Sequence, residues 1–431
     1  MAYEYDELNP RPDQREQLKR QREMARKRQR LQNLAVGLSV TAVALLVLCI
    51  VLLRGCNADP GVTTIAPTQS TAPIGSTAPT PVPEGKTVIN IVAGGDINIT
   101  DTVVAAGEQD GRYDYTGVFM DIAALFANAD AAIVNLEGNV VGAPYGTDSA
   151  SAPRELLTAL KDMGVDFVQM ANSFSIKNGI VGLNTTLSEI RQAGMEPLGA
   201  CASQEEFDRT QGFTIKDIQG VRVAFVAFTK GMGGLALPSG SENRLNLLYT
   251  DYATSYQKIN TEGITATLEA VAAQQPDVTI ALLHWGSEHK SIISANQTAI
   301  KDLMLSLGVD AIIGTHSHYV QSVEFDKRGG TVVAYSLGDL IGTADKADTN
   351  YSIVLQLQIT KDNATGQTRI TGCDYAPVYT LTESRDGQAM RLLRLDVAMA
   401  MYEHNHVDKV SAKAYESMKA AYNKIKSRTG M

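Results

Sequence analysis

The chain has 431 residues, of which 44% are hydrophobic and 20% charged, and its formal net charge is −9. Residues 1–33 carry nine basic and six acidic side chains and residues 34–85 one and two, which leaves −11 for residues 86–431. An acidic domain of that size argues against nucleic acid as a partner, and four cysteines scattered through the sequence exclude a disulfide scaffold and a thiolate zinc site.

In chain order, the first feature is a basic cytoplasmic tail over residues 1–33, ending in Lys19, Arg20, Arg22, Arg26, Lys27, Arg28 and Arg30. It is followed by twenty uncharged positions, Leu34 to Leu53, a length that suits a helix crossing a hydrocarbon core of roughly 30 Å. A cleaved signal peptide would have a shorter apolar core and a small-residue cleavage site. The basic flank places the N-terminus in the cytoplasm and, beside an apolar span, points to contact with anionic lipid rather than with nucleic acid. The expectation is a single-pass cell-membrane protein whose main domain is extracellular. Residues 54–85 are rich in Thr, Pro, Ser and Ala with few large apolar side chains, so they read as a stalk.

From residue 86 the pattern changes to short β-branched runs alternating with amphipathic stretches. Strands are predicted at Val88–Ala93, Ala131–Asn135, Asp166–Met170, Val221–Phe228, Val278–Leu283, Asp310–Gly314 and Thr331–Ser336. Helices are predicted at Thr116–Asn128, Ala152–Met163, Leu183–Ala193, Glu262–Ala273 and Ala295–Leu307. This alternation predicts a layered α/β domain over residues 86–380. Residues 381–431 read as a helical appendage. Cys201 and Cys373 are both in the exported part, and two distant cysteines do not define a bridge.

Residues with metal-ligand chemistry follow strand after strand: Asp96, Asn135 with Glu137, Asn172, His284 with Glu288, and His316 with His318. In an open α/β sheet such strand ends converge on one crevice. Asp, Glu, Asn and His together suit one or two divalent ions of the Mn, Fe or Zn kind. Taken singly, each residue has a structural explanation: Asp96 as a turn cap, Glu137 as an arginine partner, a strand-end histidine as a hydrogen-bonded core group. The Gly-x-His-x-His run after an apolar strand is harder to explain as packing. No Walker loop, His-Glu-x-x-His segment or serine-nucleophile signal is present.

The segments AGGDIN (Ala93–Asn98), NLEG (Asn135–Gly138), HWGSEH (His284–His289), IIGTHSHYVQ (Ile312–Gln321) and YSLGDL (Tyr335–Leu340) occur in the order of the CapA family, so the chain resembles poly-γ-glutamate capsule synthesis proteins from about Val88 to Gly342. The resemblance implies a calcineurin-like metallophosphatase fold of sheets flanked by helices. It also implies a role in making, exporting or attaching an anionic surface polymer alongside other synthesis and export proteins. Carried over by motif, it implies Asp96, Glu137, His284, His316 and His318 as metal ligands. Asn135 and Asn172 would support the site, and Glu288 would orient His284 or nearby backbone.

The sequence departs from that pattern where the family has Asn-Asn-His: here stand Asn172, Ser173 and Phe174. The second Asn is expected to ligate metal and the His to bind substrate or protonate the leaving group, and Phe174 does neither. Lys177 stands for a usual Asp, and Asp339 for a usual Asn. Three readings follow: a metal-dependent hydrolase or transferase, a polymer-binding scaffold with a degenerate centre, and a small-molecule nucleotidase or phosphodiesterase, for which no base-binding set is visible.

Overall fold

The structure, a computed structural model, describes residues 85–383, 388–404 and 410–431. The expected basic tail, the span at residues 34–53 and nearly all of the stalk lie outside the described residues. Among the described residues no helix is long and apolar enough to cross a membrane.

In chain order the strands are β1 (Lys86–Asn98), the two-residue β2 (Glu108–Gln109) and β3 (Arg112–Tyr113), β4 (Ala131–Glu137), β5 (Phe167–Gln169), β6 (Glu196–Leu198), β7 (Phe213–Ile218), β8 (Val221–Thr229), β9 (Val278–His284), β10 (Ala311–Thr315), β11 (Val323–Asp326), β12 (Thr331–Ala334), β13 (Asp339–Ile341), β14 (Tyr351–Asp362), β15 (Thr368–Leu381) and β16 (Arg391–Arg394). The helices are α1 (Asp101–Gly107), α2 (Thr116–Phe119), α3 (Ala123–Ala127), α4 (Glu155–Met163), α5 (Gly179–Gln192), α6 (Gln204–Thr210), α7 (Thr261–Ala273), α8 (Ala295–Ser306), α9 (Leu395–Glu403) and α10 (Ala412–Thr429).

The strands form two large sheets. One runs β16-β15-β14-β1-β4-β5-β6, with β13 also paired to β1; the other runs β11-β12-β10-β9-β8-β7. The segments β1, β4, β5 and β6 are mutually parallel, as are β8, β9, β10 and β12. The parallel strands carry continuous apolar runs because both faces are covered. In β8, β9 and β10 the side chains of Val223, Phe225, Ile280, Leu282 and Ile313 join a core shared with the first sheet. Their neighbours Val226, Phe228, Ala281, Leu283 and Ile312 face a second core with Ile264 and Leu268 of α7 and Ile300 and Met304 of α8. The period of two thus divides each strand between two cores. Phe167 of β5 against Phe225 of β8, ring centroids 4.8 Å apart, marks the packing of sheet on sheet.

All seven predicted strands form, each within a few residues of its expected bounds. The predicted helix at Thr116–Asn128 is instead two short helices separated by a turn at Met120–Ile122. The long hairpin of β14 and β15 has no counterpart among the predicted strands. The tail is not helical throughout: Arg391–Arg394 pairs with Val378–Leu381 as the edge strand of the first sheet. A short apolar run such as Leu392, Leu393 and Leu395 fits helix or strand equally by periodicity, and the unpaired edge of β15 decides in favour of strand. Helix α10 then returns to bury Met418, Ala421 and Ile425 in the main core. Cys201 and Cys373 are both free thiols.

Candidate metal centre

Both sheets send the C-terminal ends of parallel strands to one place. From the first sheet come Asp96 of β1, Glu137 of β4 and Asn172 after β5; from the second come His284 at the end of β9 and the turn His316–His318 after β10. Asp339, at the start of β13, is in parallel register with Asp96. Asp96, Glu137, Asn172, His284, His316, His318 and Asp339 are all buried.

Local backbone chemistry sets these side chains. A bulge between Ala93 and Asp96 interrupts the pairing of β1 with β4. At Gly95 the chain passes so close to Gly338 that a Cβ would lie 1.8 Å from the Gly338 carbonyl oxygen. That proximity lets the Asp96 amide donate to the same oxygen at 3.0 Å. His316 and His318 both adopt left-handed backbone, with φ of 90° and 58°, a conformation that strains a side chain of this kind. The strained turn is held from three directions. The His316 amide donates to Asp96 Oδ2 at 3.1 Å, the His289 amide to the Ser317 carbonyl at 2.8 Å, and Arg428 of α10 stacks on Tyr319 at 5.1 Å.

Glu137 is the hub. His284, His316 and Glu137 form one group of converging donor atoms, and Asp96, His318 and Glu137 form another. Glu137 Oε1 lies 3.2 Å from His284 Nε2, and Oε2 lies 4.0 Å from His318 Nε2. Both oxygens are buried and neither has a hydrogen-bond donor. A buried carboxylate without donors is costly, and a divalent ion held there would offset that cost. The donor set therefore fits a divalent ion in each group, and Glu137 would be a ligand common to both.

The supporting residues are ordered behind the ligands. Asn135 Nδ2 donates to Asp96 Oδ1 at 2.7 Å, and Asn172 Nδ2 donates to Asn135 Oδ1 at 3.0 Å and to the Leu136 carbonyl at 2.7 Å. Glu288 is exposed, and both ring nitrogens of His284 are engaged by other residues. These are Thr315, whose Oγ1 lies 3.2 Å from His284 Nδ1, and Ser173, whose Oγ lies 3.0 Å from Nε2. Asp339, noted in the sequence only as a departure, bonds His318 Nδ1 at 2.7 Å. This is the carboxylate–histidine pairing that fixes the tautomer of a metal-binding imidazole. Its signal in the sequence was an acidic residue inside a Gly-Asp turn after an apolar strand, a pattern too common to single out.

Burial raises Asp96 to about 6 even though His318 and the hydrogen bonds from Asn135 and His316 pull it down, and burial with the nearby Asp96 carries Glu137 well above its usual range. Burial keeps His284 and His316 far below the ordinary imidazole range, so both are neutral at pH 7. His318 goes the other way: burial opposes its charge, but Asp339, Glu137 and Asp96 raise it to about 10.

The metal-free cluster thus holds on His318 a proton that an ion must displace, takes up another on Asp96 as pH falls through about 6, and holds none on His284 or His316 at pH 7. Metal affinity is expected to fall as pH drops from about 8 to about 5, with proton release on binding at pH 7. Calorimetric titration in two buffers of different ionisation heat measures that release. Equal heats and a flat affinity would contradict the assignment.

A family model described as bacterial capsule synthesis protein PGA_cap matches residues 90–344, more than half of the chain. The PGA biosynthesis protein CapA of Bacillus subtilis is 26% identical over 289 residues, covering 65% of this chain and 70% of that protein. The capsule biosynthesis protein CapA of Bacillus anthracis is 26% identical over 220 residues, covering 50% of this chain and 49%, about half, of its own length. Among solved structures, the calcineurin-like phosphoesterase YfkN from Bacillus subtilis is 16% identical with a TM-score of 0.41, covering 78% of this chain and 100% of that one.

Proposed function

Because the chain belongs to the bacterial capsule synthesis protein family, we propose that it serves the synthesis, export or attachment of poly-γ-glutamate or a related anionic surface polymer. It would act from the outer side of the cell membrane on a single N-terminal anchor, beside other proteins of the polymer machinery. The names of its Bacillus relatives support the polymer, and the apolar stretch at Leu34–Leu53 after a basic flank supports the anchor.

The observation that carries the chemistry is Glu137, buried, without a donor and common to both groups of ligands. The centre is proposed as metallophosphatase-like, holding one or two Mn, Fe or Zn ions through Asp96, Glu137, His284, His316 and His318. Bound there, a divalent ion would polarise a phosphoryl or amide oxygen and lower the pKa of water.

The chain's own residues do the rest. His284 and His316 present neutral imidazoles, and Asp339 fixes the ring of His318. Lys230 lies near enough to depress both His284 and His316, and Lys346 contacts His289 at 2.8 Å. These two ammonium groups offset the negative charge of the domain where an anionic chain would approach. Phe174, half-buried where a proton donor would be expected, favours a degenerate hydrolase over an efficient one. An active phosphoesterase on an envelope or small-molecule substrate is the alternative.

Elemental analysis of the dialysed protein, wild type against His316→Ala with His318→Ala, is expected to show stoichiometric metal only in the wild type. In polymer-making cells the double variant is expected to lower surface polymer at least tenfold if the centre acts chemically. Normal polymer with a metal-free protein would leave a scaffold. Wild-type protein without metal, even after reloading, would sink the metal centre itself.

A further inference from the structure

Among the described residues, the group around Glu137, His284 and His316 gathers three donors of the His, Cys, Asp and Glu types. We infer that the Ser173 hydroxyl is the fourth protein donor of this half of the centre, and that this half therefore holds its ion more weakly than the other. The inference rests on the proposed metal centre and adds to it a ligand and an order of affinity.

Geometry carries the argument. His284 Nδ1 is engaged by Thr315, so with Nδ1 carrying the proton the Nε2 lone pair points the other way. On that side stand two oxygens, Glu137 Oε1 at 3.2 Å and Ser173 Oγ at 3.0 Å. Ser173 is held there by its neighbours: the Phe174 amide donates to Asn172 Oδ1 and the Asn172 amide to Ser175 Oγ, both at 2.9 Å. Asn172 is pinned in turn to Asn135 and the Leu136 carbonyl. The turn therefore aims the hydroxyl at the coordinating nitrogen of His284. Ser173 is only half-buried, whereas Glu137, His284 and His316 are buried.

A neutral hydroxyl is a hard but weak donor. The opposite half has two carboxylates, Asp96 and Glu137, and an imidazole made more basic by Asp339. One ion is thus held firmly, and the one beside Ser173 exchanges readily.

The test is a calorimetric titration of the metal-free full chain with Mn²⁺. The wild type is expected to take up two ions of unequal affinity. Ser173→Ala is expected to weaken the weaker ion by about 10–100-fold and to leave the tighter one unchanged. Ser173→Cys loaded with Co²⁺ is expected to show a thiolate-to-cobalt charge-transfer band that the wild type, with its four cysteines in place, lacks. Two wild-type ions with both affinities unmoved by Ser173→Ala and no band in Ser173→Cys would overturn the inference while the centre stands. A single wild-type ion would overturn it too, because the second half would not exist. A wild type that binds no ion would overturn the centre and the inference together.

Discussion

Glu137→Gln is expected to leave the purified protein without a retained ion in either half of the centre, a larger loss than any other single ligand change. Asp96 or His316 belongs to one group of donors, whereas Glu137 belongs to both. The substitution keeps shape and hydrogen-bonding capacity but removes the charge that a bridging ligand needs. Saturating metal stabilises a protein by about 2.7 kcal/mol at a hundred times its Kd, so that increment in thermal unfolding should be present in the wild type and absent in the variant.

In chelator the order should invert or level. The folded-state pKa of Glu137 is raised by burial and by Asp96, so its contribution to metal-free stability is fully present below about pH 4.5 and is lost as pH rises through the raised value. Glutamine has no such dependence. Metal-free Glu137→Gln is therefore expected to unfold at pH 7 no sooner than metal-free wild type. A variant that keeps two ions, or that is clearly less stable than wild type in chelator, would show Glu137 to be a structural residue.

Gly95→Ala is expected to cost about 3–5 kcal/mol, outside the usual range for an exposed or adaptable position. The added methyl would lie 1.8 Å from the Gly338 oxygen and 3.0 Å from its carbonyl carbon. Those are backbone atoms of the strand connection leading to Asp339, and they have no rotamer to adopt. Relief requires β1 and β13 to part, which breaks the Asp96 amide bond to Gly338 and shifts Asp96 relative to Asp339 and His318. Metal retention should fall with stability. The adjacent Gly94→Ala is the control: its methyl would meet Leu340 Cδ2 at 2.8 Å and Phe126 at 3.1 Å, side-chain ends that can turn aside, for about 1–3 kcal/mol. Urea midpoints compare the two. Similar midpoints would mean that the Gly95 approach is not tight.

The sequence was most legible where one physical pattern dominated. Runs such as Val278–Leu283 are apolar on both faces because both faces are covered, and polar residues ending those runs marked the crevice. Asp96, Glu137, His284, His316 and His318 share a strand-end position, and the structure brings all five together. What stayed hidden depends on contacts across the fold. Ser173 looks like the loss of an amide until its hydroxyl is seen beside His284. Asp339 gains its role only because β13 pairs with β1. Glu288 has the right residue type and spacing, yet it is an exposed residue. The β14–β15 hairpin alternates polar and apolar residues through Gln356, Gln358 and Thr360, so it offers no long apolar run, and the edge strand β16 is selected by a partner rather than by its own four residues.

The left-handed turn at His316 and His318 sets two kinds of selection against each other. Glycine adopts that backbone without strain, so His316→Gly or His318→Gly would relax the chain while deleting a ligand. A library screened for heat resistance alone, in chelator, would drift toward glycine at position 316, whereas at position 318 the ion pair with Asp339 opposes the change. A library screened for metal retention would hold histidine at both positions, and the divergence between the two populations at position 316 would display where the chain trades durability for a ligand.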